Sequence, residues 1–356
     1  MATTILHFIV NLRRGGAETM LAKSINDIKE YNHVIVTLEP GNDFETELKA
    51  IPVICLHSPS MWQIPMAVIK LRKVIHKHRV NIVHSHLPLC HFIARLAVPA
   101  HVPLLSTIHT SVKHVKDYKK WYIRALDKYT FAFRKSTLIA VSRTALDEYF
   151  AVLKIDPRPA IVLHSFIDPA EFSTNAAPYQ GGEFRIVHTG SLRHPKNQAF
   201  LINAFRSLKG KNCVLDIYGE GPLRNKLQQQ IQQNEVAVTL KGHANSINQL
   251  LPRYHLFTMS SVTEGFSVSV LEAMAAKLPL LLSDIPPFRE QCGDTALYFD
   301  ANNEQDFCNK VLQLKSDETL RSHLADQAHQ RVLQQYTREQ FLQQLQTIYA
   351  TATGGM

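Results

Sequence analysis

The sequence predicts an α/β protein made of two Rossmann-like domains, each built on a mostly parallel β-sheet. Three observations predict this fold. Short apolar segments rich in β-branched residues alternate with longer segments of helical spacing, as in chains that form parallel sheets. The alternation stops at one polar stretch that contains proline and glycine, and then begins again. The length of 356 residues also favours two cores over one.

The first domain is predicted over residues 1–168. Its strands are nearly continuous apolar segments, which is typical of strands that helices cover on both faces. We predict them at residues 3–10, 33–38, 51–56, 82–86, 104–109, 137–142 and 161–164. Segments between them, such as 17–29 and 64–78, have the apolar spacing of amphipathic helices.

A polar linker is predicted over 169–183, and the second domain over 184–335. The strands of the second domain are predicted at residues 185–190, 214–219, 238–242, 256–261, 278–284 and 296–300. The remaining chain is rich in glutamine, but its stripe of apolar residues favours packed helices over disorder. The last helix, 336–356, could cross back to the N-terminal domain.

Composition favours a globular cytoplasmic protein. The apolar segment at the N-terminus ends at Asn11, which makes it too short for a spanning helix, and no signal-peptide cleavage site follows it. The five cysteines are scattered and include no C-x-x-C pair. Neither a disulfide framework nor a zinc site is therefore predicted, and a reducing compartment fits best.

The net charge of +9 is concentrated in the first half of the chain. Residues 1–178 contain 22 Lys and Arg against 14 Asp and Glu, and the excess is densest over 113–135, where lysines alternate with aromatic residues. A basic, aromatic helix suits an anionic membrane surface or an anionic acceptor. A solvated helix with an ordinary core face would have the same pattern, so both interpretations remain. No nucleic-acid partner is predicted, because no familiar binding signature occurs.

The first candidate site is the glycine pair Gly15-Gly16, which follows the first strand and begins a helix. Glycines at such a turn let backbone N–H groups approach a phosphate. The dinucleotide motif G-x-G-x-x-G and the P-loop ending G-K-[ST] are both absent. A plain turn would have the same glycines.

The second candidate site is Arg193 with Lys196, just after the strand at 185–190. Ligands bind at the carboxyl ends of strands in open α/β sheets, and one forked cation with one compact cation can hold a diphosphate. Two exposed surface charges are the alternative.

The third candidate site is the segment from Glu264 to Glu272, in which seven residues separate two carboxylates. Between the carboxylates a helix begins, whose first N–H groups can bind phosphate oxygens. Carboxylates accept hydrogen bonds from sugar hydroxyls. Alternatively, Glu264 only caps the helix and Glu272 is solvated.

Together these motifs resemble the retaining glycosyltransferases of family 4, which have the E-x7-E motif and the GT-B fold. In that fold, two Rossmann-like domains face each other across a cleft. The resemblance covers nearly the whole chain. It includes the Gly15-Gly16 loop, His109 after STIH, AVSR at 140–143, Arg193 and Lys196, GEGPL at 219–223, and EGFSVSVLEA from Glu264.

The resemblance implies roles for these residues. His109, Arg193, Lys196 and Glu264 would be the catalytic residues, of which Arg193 and Lys196 bind the donor diphosphate and Glu264 holds the donor sugar. Glu272 would bind the ribose. The other implied donor contacts are Gly15, Gly16, Gly219, His243, Gly265, Phe266 and Ser267, with backbone N–H groups near the last two assisting. Arg13, His84 and His86 are candidate acceptor contacts.

The sequence departs from the family pattern at three places. The hinge reads His-Ser-Phe-Ile-Asp over 164–168 in place of a segment with Pro-Asn-Gly. Asn197 follows Lys196 where glycine is commoner, and Ser267 replaces a frequent glycine. None of these changes removes a charged group that donor binding needs.

The implied activity is transfer of a hexose from a nucleotide diphosphate sugar to a hydroxyl of a glycan or lipid-linked acceptor, with retained configuration. UDP is favoured over GDP. No metal and no cofactor besides the donor is expected, since Asp-x-Asp is absent and the two cations can supply the positive charge. Bacterial surface polysaccharide synthesis, including lipopolysaccharide, at the inner face of the cytoplasmic membrane is the expected setting.

Three alternative functions share this scaffold. A sugar-nucleotide epimerase would need no acceptor, and a phosphorylase should carry a pyridoxal-phosphate lysine. A two-lobed, non-catalytic sugar-binding protein would usually be exported, and the expected absence of a signal peptide counts against it.

Overall fold

The structure is a computed structural model that describes residues 3–58, 60–114, 116–155, 160–173, 182–244 and 246–354, with the backbone alone at 114, 116 and 117. The chain divides into two compact units. One comprises Met1–Ser165 with Glu339–Met356, and the other Phe166–Arg338. Most of the predicted linker, residues 174–181 with its Pro178 and Gly181, lies outside the described residues.

The first unit is built on a seven-stranded parallel sheet of order β3-β2-β1-β4-β5-β6-β7. All seven strands predicted for this half are confirmed, each end within two residues. The strands are β1 Thr4–Ile9, β2 Asn32–Thr37, β3 Val53–Cys55, β4 Ile82–His86, β5 Leu104–Ile108, β6 Thr137–Ala140 and β7 Ala160–Val162.

Helices cover both faces of this sheet. Those that connect its strands are α1 Gly16–Ile25, α2 Ile64–Lys77, α3 Pro88–Ala97, α4 Trp121–Phe133 and α5 Arg143–Leu153. Alternate side chains of β1 point to opposite faces. Leu6 and Phe8 belong to the core beneath α2 and α3, whereas Ile9 packs with α1.

The segment 113–135 is not one continuous helix, because the regular helix α4 begins only at Trp121. Two short 3₁₀ turns, Val112–His114 and Lys116–Lys119, precede it. Tyr118 is buried, and its hydroxyl donates to Asp127 Oδ2 at 2.5 Å. Residues nine apart in one helix lie about 13 Å apart along its axis, so this hydrogen bond requires the chain to fold back before α4.

The second unit has a six-stranded parallel sheet of order β10-β9-β8-β11-β12-β13. Its six predicted strands are also confirmed: β8 Phe184–Thr189, β9 Cys213–Tyr218, β10 Val238–Gly242, β11 Leu256–Met259, β12 Leu280–Ser283 and β13 Leu297–Phe299. Its helices are α6 Gln198–Ala204, α7 Arg224–Asn234, α8 Ile247–Leu250, α9 Val268–Ala275, α10 Pro286–Cys292, α11 Glu304–Ser316 and α12 Glu318–Gln335.

The last helix, α13, spans Arg338–Gly354 and belongs to the first unit from Glu339 onward. Its Leu345, Ile348 and Tyr349 pack on the strand residues Ile5 and Ile82, on the sheet face opposite α2 and α3. None of the helices in the described part of the chain combines the length and the hydropathy needed to cross a bilayer.

Candidate functional site

The predicted donor residues of the second unit lie at the carboxyl ends of four neighbouring strands. Arg193 and Lys196 follow β8, Gly219 follows β9, His243 follows β10, and Glu264 follows β11. These strands are adjacent in the sheet. The carboxyl edge of an open parallel sheet is where ligands bind, because connecting loops and helix N-termini meet there.

A tight loop after β8 positions the two cations. Arg193 is exposed where a short 3₁₀ turn begins, and Lys196 lies partly buried at its end. Asn197 then adopts a left-handed conformation with φ of 50°, and α6 begins at the next residue. Asparagine tolerates this region better than most residues, which explains how it replaces the commoner glycine here.

Lys196 and Glu264 form an ion pair between two loops. Lys196 Nζ donates to Glu264 Oε1 at 2.6 Å, and Ser261 Oγ donates to the same oxygen at 2.6 Å. The loops are also joined through Ser260, whose Oγ donates to the carbonyl oxygens of Lys196 and Asn197 at 3.0 and 2.9 Å. The arrangement holds one cation and one carboxylate side by side, each with limited exposure to water.

Gly219 is required by packing. Its φ is 142°, and a Cβ at this position would lie 2.0 Å from the carbonyl oxygen of Gly190. Gly221 has a similar constraint, since its Cβ would lie 2.5 Å from the carbonyl oxygen of Leu192. The G-E-G segment after β9 therefore packs directly against the loop that carries Arg193 and Lys196.

The start of α9 presents backbone N–H groups at this edge. Ser267 is its N-cap residue and is buried, and its hydroxyl does not cap the helix. The amide N–H of Ser267, which the resemblance assigned to the donor, instead donates to Gln291 Oε1 at 3.1 Å, and Gln291 Nε2 donates to Ser267 O at 2.8 Å. The first helical N–H groups, those of 268–270, are the ones without intrahelical partners.

The remaining residues of the E-x7-E segment lie in the loop after β11 and in α9. Gly265 and Phe266 are buried in the loop, and Glu272 is partly buried within α9. His243 is exposed directly after Gly242, whose φ of 78° needs glycine.

Sequence reasoning missed two buried side chains beneath this site. Gln291 holds Ser267 from α10, and no sequence signal distinguishes it from other polar helix residues. His188 in β8 donates from Nδ1 to Thr258 O at 3.1 Å, so its Nε2 accepts from Gln198 Nε2 at 3.3 Å. Burial, with Lys196 as the second cause, lowers the pKa of His188 to about 3 and keeps it neutral.

In the first unit, His109 follows β5 and its Nε2 lies 3.0 Å from Nδ1 of His86. Burial lowers the pKa of His109 to about 4. The imidazole is therefore neutral near pH 7 and offers one donor and one acceptor nitrogen.

His84 and His86 are buried in β4, and both line a small cavity with Phe341, Leu345 and Tyr349 of α13. His84 is hydrogen-bonded on both ring nitrogens, to Tyr349 Oη at 2.9 Å and Thr107 Oγ1 at 2.6 Å. An acceptor could contact the His84 imidazole only after these side chains rearrange. Their predicted acceptor role thus stays a prediction, and the hydrogen bond to His109 indicates a supporting role for His86.

His7, His84 and His86 are the one group in the described residues whose ring nitrogens lie within 4.8 Å of one another, as metal ligands would. The partners already bound to His84 argue against a metal there. His7 Nε2 bonds instead to His33 Nδ1 at 3.1 Å, and His33 donates from Nε2 to Ile28 O at 2.8 Å. The histidines are best described as a hydrogen-bonded core cluster.

The glycine pair begins α1 as predicted. Gly15 is the N-cap in an extended conformation, and Gly16 is the first helical residue. A Cβ on Gly16 would meet nothing within 4 Å, so its backbone faces open space, whereas one on Gly15 would lie 2.4 Å from Glu18 Oε2. Arg13 is exposed two residues before the pair, and its Nε would lie 3.0 Å from a Cβ placed on Gly41.

Comparisons with known proteins match both units. A family model described as Glycosyltransferase Family 4 matches residues 14–171, and one described as Glycosyl transferases group 1 matches residues 171–331. N-acetyl-alpha-D-glucosaminyl L-malate synthase of Bacillus anthracis is 22% identical over 94% of this chain and 93% of its own.

Two further proteins are similar. The UDP-Gal:alpha-D-GlcNAc-diphosphoundecaprenol alpha-1,3-galactosyltransferase of Escherichia coli is 25% identical over 66% of this chain and 65% of its own. The crystal structure of Anabaena Alr3699/HepE in complex with UDP superposes with a TM-score of 0.84 at 18% identity, covering 98% of this chain and 100% of that one.

Proposed function

The chain belongs to family 4 of the glycosyltransferases and has the GT-B fold, and from this premise we propose that it transfers a hexose from a UDP-linked donor to a hydroxyl of a glycan or lipid-linked acceptor, with retention. The bond between the anomeric carbon and the diphosphate oxygen breaks. A bond from that carbon to the acceptor oxygen forms, and the hydroxyl proton passes to the departing diphosphate or to solvent.

The ion pair of Lys196 with Glu264 at the carboxyl edge of the sheet is the observation that carries this proposal. A diphosphate needs positive charge, which Lys196, the adjacent Arg193 and the start of α9 can supply together. A sugar needs hydrogen-bond acceptors, which Glu264 provides 2.6 Å from that lysine. Fixed groups of this kind stabilise charge as it develops on the leaving diphosphate.

The other predicted residues have roles in the same proposal. Glu272 binds the ribose, and the segments around Gly219 and His243 approach the nucleotide. The 268–270 N–H groups replace that of Ser267 as phosphate donors, because Gln291 holds the latter. For Gly16 and His109 of the first unit, we propose the roles that the resemblance implies, at the diphosphate and at the donor sugar.

The comparisons support UDP as the donor nucleotide. The E. coli relative is named for UDP-Gal, and HepE was crystallised with UDP. We propose that no metal takes part, because Arg193 and Lys196 offer the cationic charge at the diphosphate. The E. coli relative is named a galactosyltransferase, and the B. anthracis relative is named for joining N-acetylglucosamine to malate. Both names disfavour the epimerase, phosphorylase and binding-protein alternatives.

The acceptor is proposed to be a lipid-linked glycan in bacterial surface polysaccharide synthesis. The E. coli relative, whose name includes a diphosphoundecaprenol-linked acceptor, supports this class. The protein would then work in the cytoplasm at the inner face of the membrane, with 113–135 in contact with anionic lipid.

Calorimetry with UDP, GDP and their hexose conjugates, in the presence of a chelator, tests the donor site. We expect micromolar binding of UDP, and a loss of roughly 10-fold or more in Arg193→Ala and Glu272→Ala, because each removes a charged hydrogen-bonding group. Lys211→Ala is the matched control, since Lys211 is exposed just before β9 at the opposite edge of the sheet. Equal affinity in all variants would refute this site.

A further inference from the structure

Helix α4 presents a stripe of aromatic side chains to solvent. Trp121 is 73% exposed, Tyr129 71% and Phe133 76%, with Tyr122 also exposed beside them. Residues 122, 129 and 133 are spaced by seven and four, which places them along one side of a helix. The opposite side, with Ile123 and Phe131, is buried in the core. Exposed aromatic residues in such a row are unusual on a protein surface.

A second stripe lies on α2 and the turn before it, outside the segment 113–135. Trp62 is 93% exposed, and Met66 and Ile69 are also exposed. The spacing of four and three residues again defines one helix side. The other side of α2, with Ala67 and Leu71, packs on the sheet.

The two stripes belong to the same outer layer of the first unit. α3 packs between α2 and α4, and all three cover the same face of the sheet. Each of the three helices connects two parallel strands of this sheet by a right-handed crossover, so all three run in the same direction. The N-terminal ends of α2 and α4, with Trp62 and Trp121, therefore lie at the carboxyl edge of the sheet, on the side where His109 follows β5.

The exposed charges on α2 and α4 in this layer are positive. The sequence contains no Asp or Glu between Glu47 and Asp117, although it contains nine Lys and Arg there. Lys73 and Lys77 are exposed on α2, and Arg124 and Lys128 on α4. The acid within α4 is Asp127, which is buried and paired with the buried Arg95.

We propose that the outer sides of α2 and α4 form one surface that docks on an anionic phospholipid bilayer. Tryptophan, methionine and isoleucine suit the boundary between headgroups and acyl chains, and the flanking lysines suit anionic headgroups. The two stripes lie on separate helices of one layer. A flat surface can contact both stripes at once, whereas a partner that binds a single helix cannot. Bilayer binding is inferred from the exposed residues alone. Only its purpose, which is to bring the enzyme to a lipid-linked acceptor, rests on the proposed function.

The surface contains both tryptophans of the protein, so intrinsic fluorescence reports on it directly. Vesicles of two parts phosphatidylcholine to one part phosphatidylglycerol are expected to shift the emission to shorter wavelength and to protect it from iodide quenching. Phosphatidylcholine vesicles should have little effect, and added salt should reverse the change. Trp62→Phe and Trp121→Phe each leave one reporter, and both reporters should respond.

Charge variants test the electrostatic part by vesicle sedimentation. Each Lys near an anionic surface contributes about five-fold to binding, so Lys73→Ala with Lys77→Ala should weaken it by about 25-fold. Lys211→Ala is the matched control and should bind as the unchanged protein does. UDP binding should be the same in all of these variants, which separates this inference from the donor site.

Each contrary outcome has a definite meaning. If Trp121 responds and Trp62 does not, α2 is not part of the surface and the two-helix proposal is wrong. If neither responds and nothing sediments with anionic vesicles, the surface does not bind lipid, and an acidic protein partner replaces the bilayer. Equal binding to both kinds of vesicle would refute the role of charge.

Discussion

Gly219 shows how one residue without a side chain supports the charged groups around it. Its φ of 142° and the carbonyl of Gly190 leave no room for a Cβ. The resemblance named Gly219 as a donor contact, and packing gives it a second, independent reason to be glycine. The close approach fixes the loop of Arg193 and Lys196 relative to β9, so a change at 219 should act on the donor through that loop.

We predict that Gly219→Ala weakens UDP binding and lowers the free energy of unfolding by about 2–4 kcal/mol, because the loops must separate. Gly210→Ala is the matched control. Gly210 also has a positive φ, 72°, but a Cβ there would meet nothing within 4 Å. Its cost should be about 1 kcal/mol, from backbone strain alone, with unchanged UDP affinity. Chemical denaturation and calorimetry measure both quantities, and equal losses in the two variants would contradict the packing argument.

At the scale of elements, the sequence predicted all thirteen strands because each is a short apolar segment between helical patterns. It could not predict which helix covers which strand. His84 and His86 are candidate acceptor contacts because they end a strand, and only the structure shows that Tyr349 of α13, far along the chain, is hydrogen-bonded to His84. The break in the helix within segment 113–135 could not be predicted either, since the buried hydrogen bond of Tyr118 to Asp127 is a tertiary contact.

The histidines of β1 and β4 should make the first unit sensitive to acid. Burial lowers the pKa of His84 to about 3 from its ordinary 6.5, and burial also lowers the pKa of His7 and of His86 well below 6.5. Below pH 6.5 the unfolded chain therefore binds protons that the folded chain does not. Stability is fully present above pH 6.5 and is lost as the pH falls towards the folded-state values.

We expect the free energy of unfolding to fall by up to about 1.4 kcal/mol per pH unit for each such histidine between about pH 6 and pH 4. Urea denaturation followed by circular dichroism measures the slope. His84→Gln should reduce it, whereas His323→Gln should leave it unchanged, because His323 is exposed on α12. A slope that is the same in all three proteins would exclude the cluster as its cause.

At the scale of the whole molecule, the two sheets carry different sets of predicted functional residues. The second unit holds the residues proposed to bind the donor at the carboxyl edge of β8 to β11, and the first unit carries His109 and the basic outer layer. The strand pattern predicted the two sheets, whereas the roles given to the residues of each unit stay predictions. Gln291 and His188 were not predicted, because a buried polar side chain has no sequence pattern of its own and is found only from the contacts around it.

The configuration of the first product, followed by proton NMR, tests directly whether the transfer is retaining. The purified protein is incubated with UDP-α-hexoses in the presence of a chelator, with water or a lipid-linked hydroxyl as acceptor. Retention predicts that the α-anomer appears first, that UDP is released with it, and that Lys196→Ala slows both by roughly 100-fold or more. A β-anomer as the first product would contradict retention, and turnover only after a divalent metal is added would contradict metal-independent transfer.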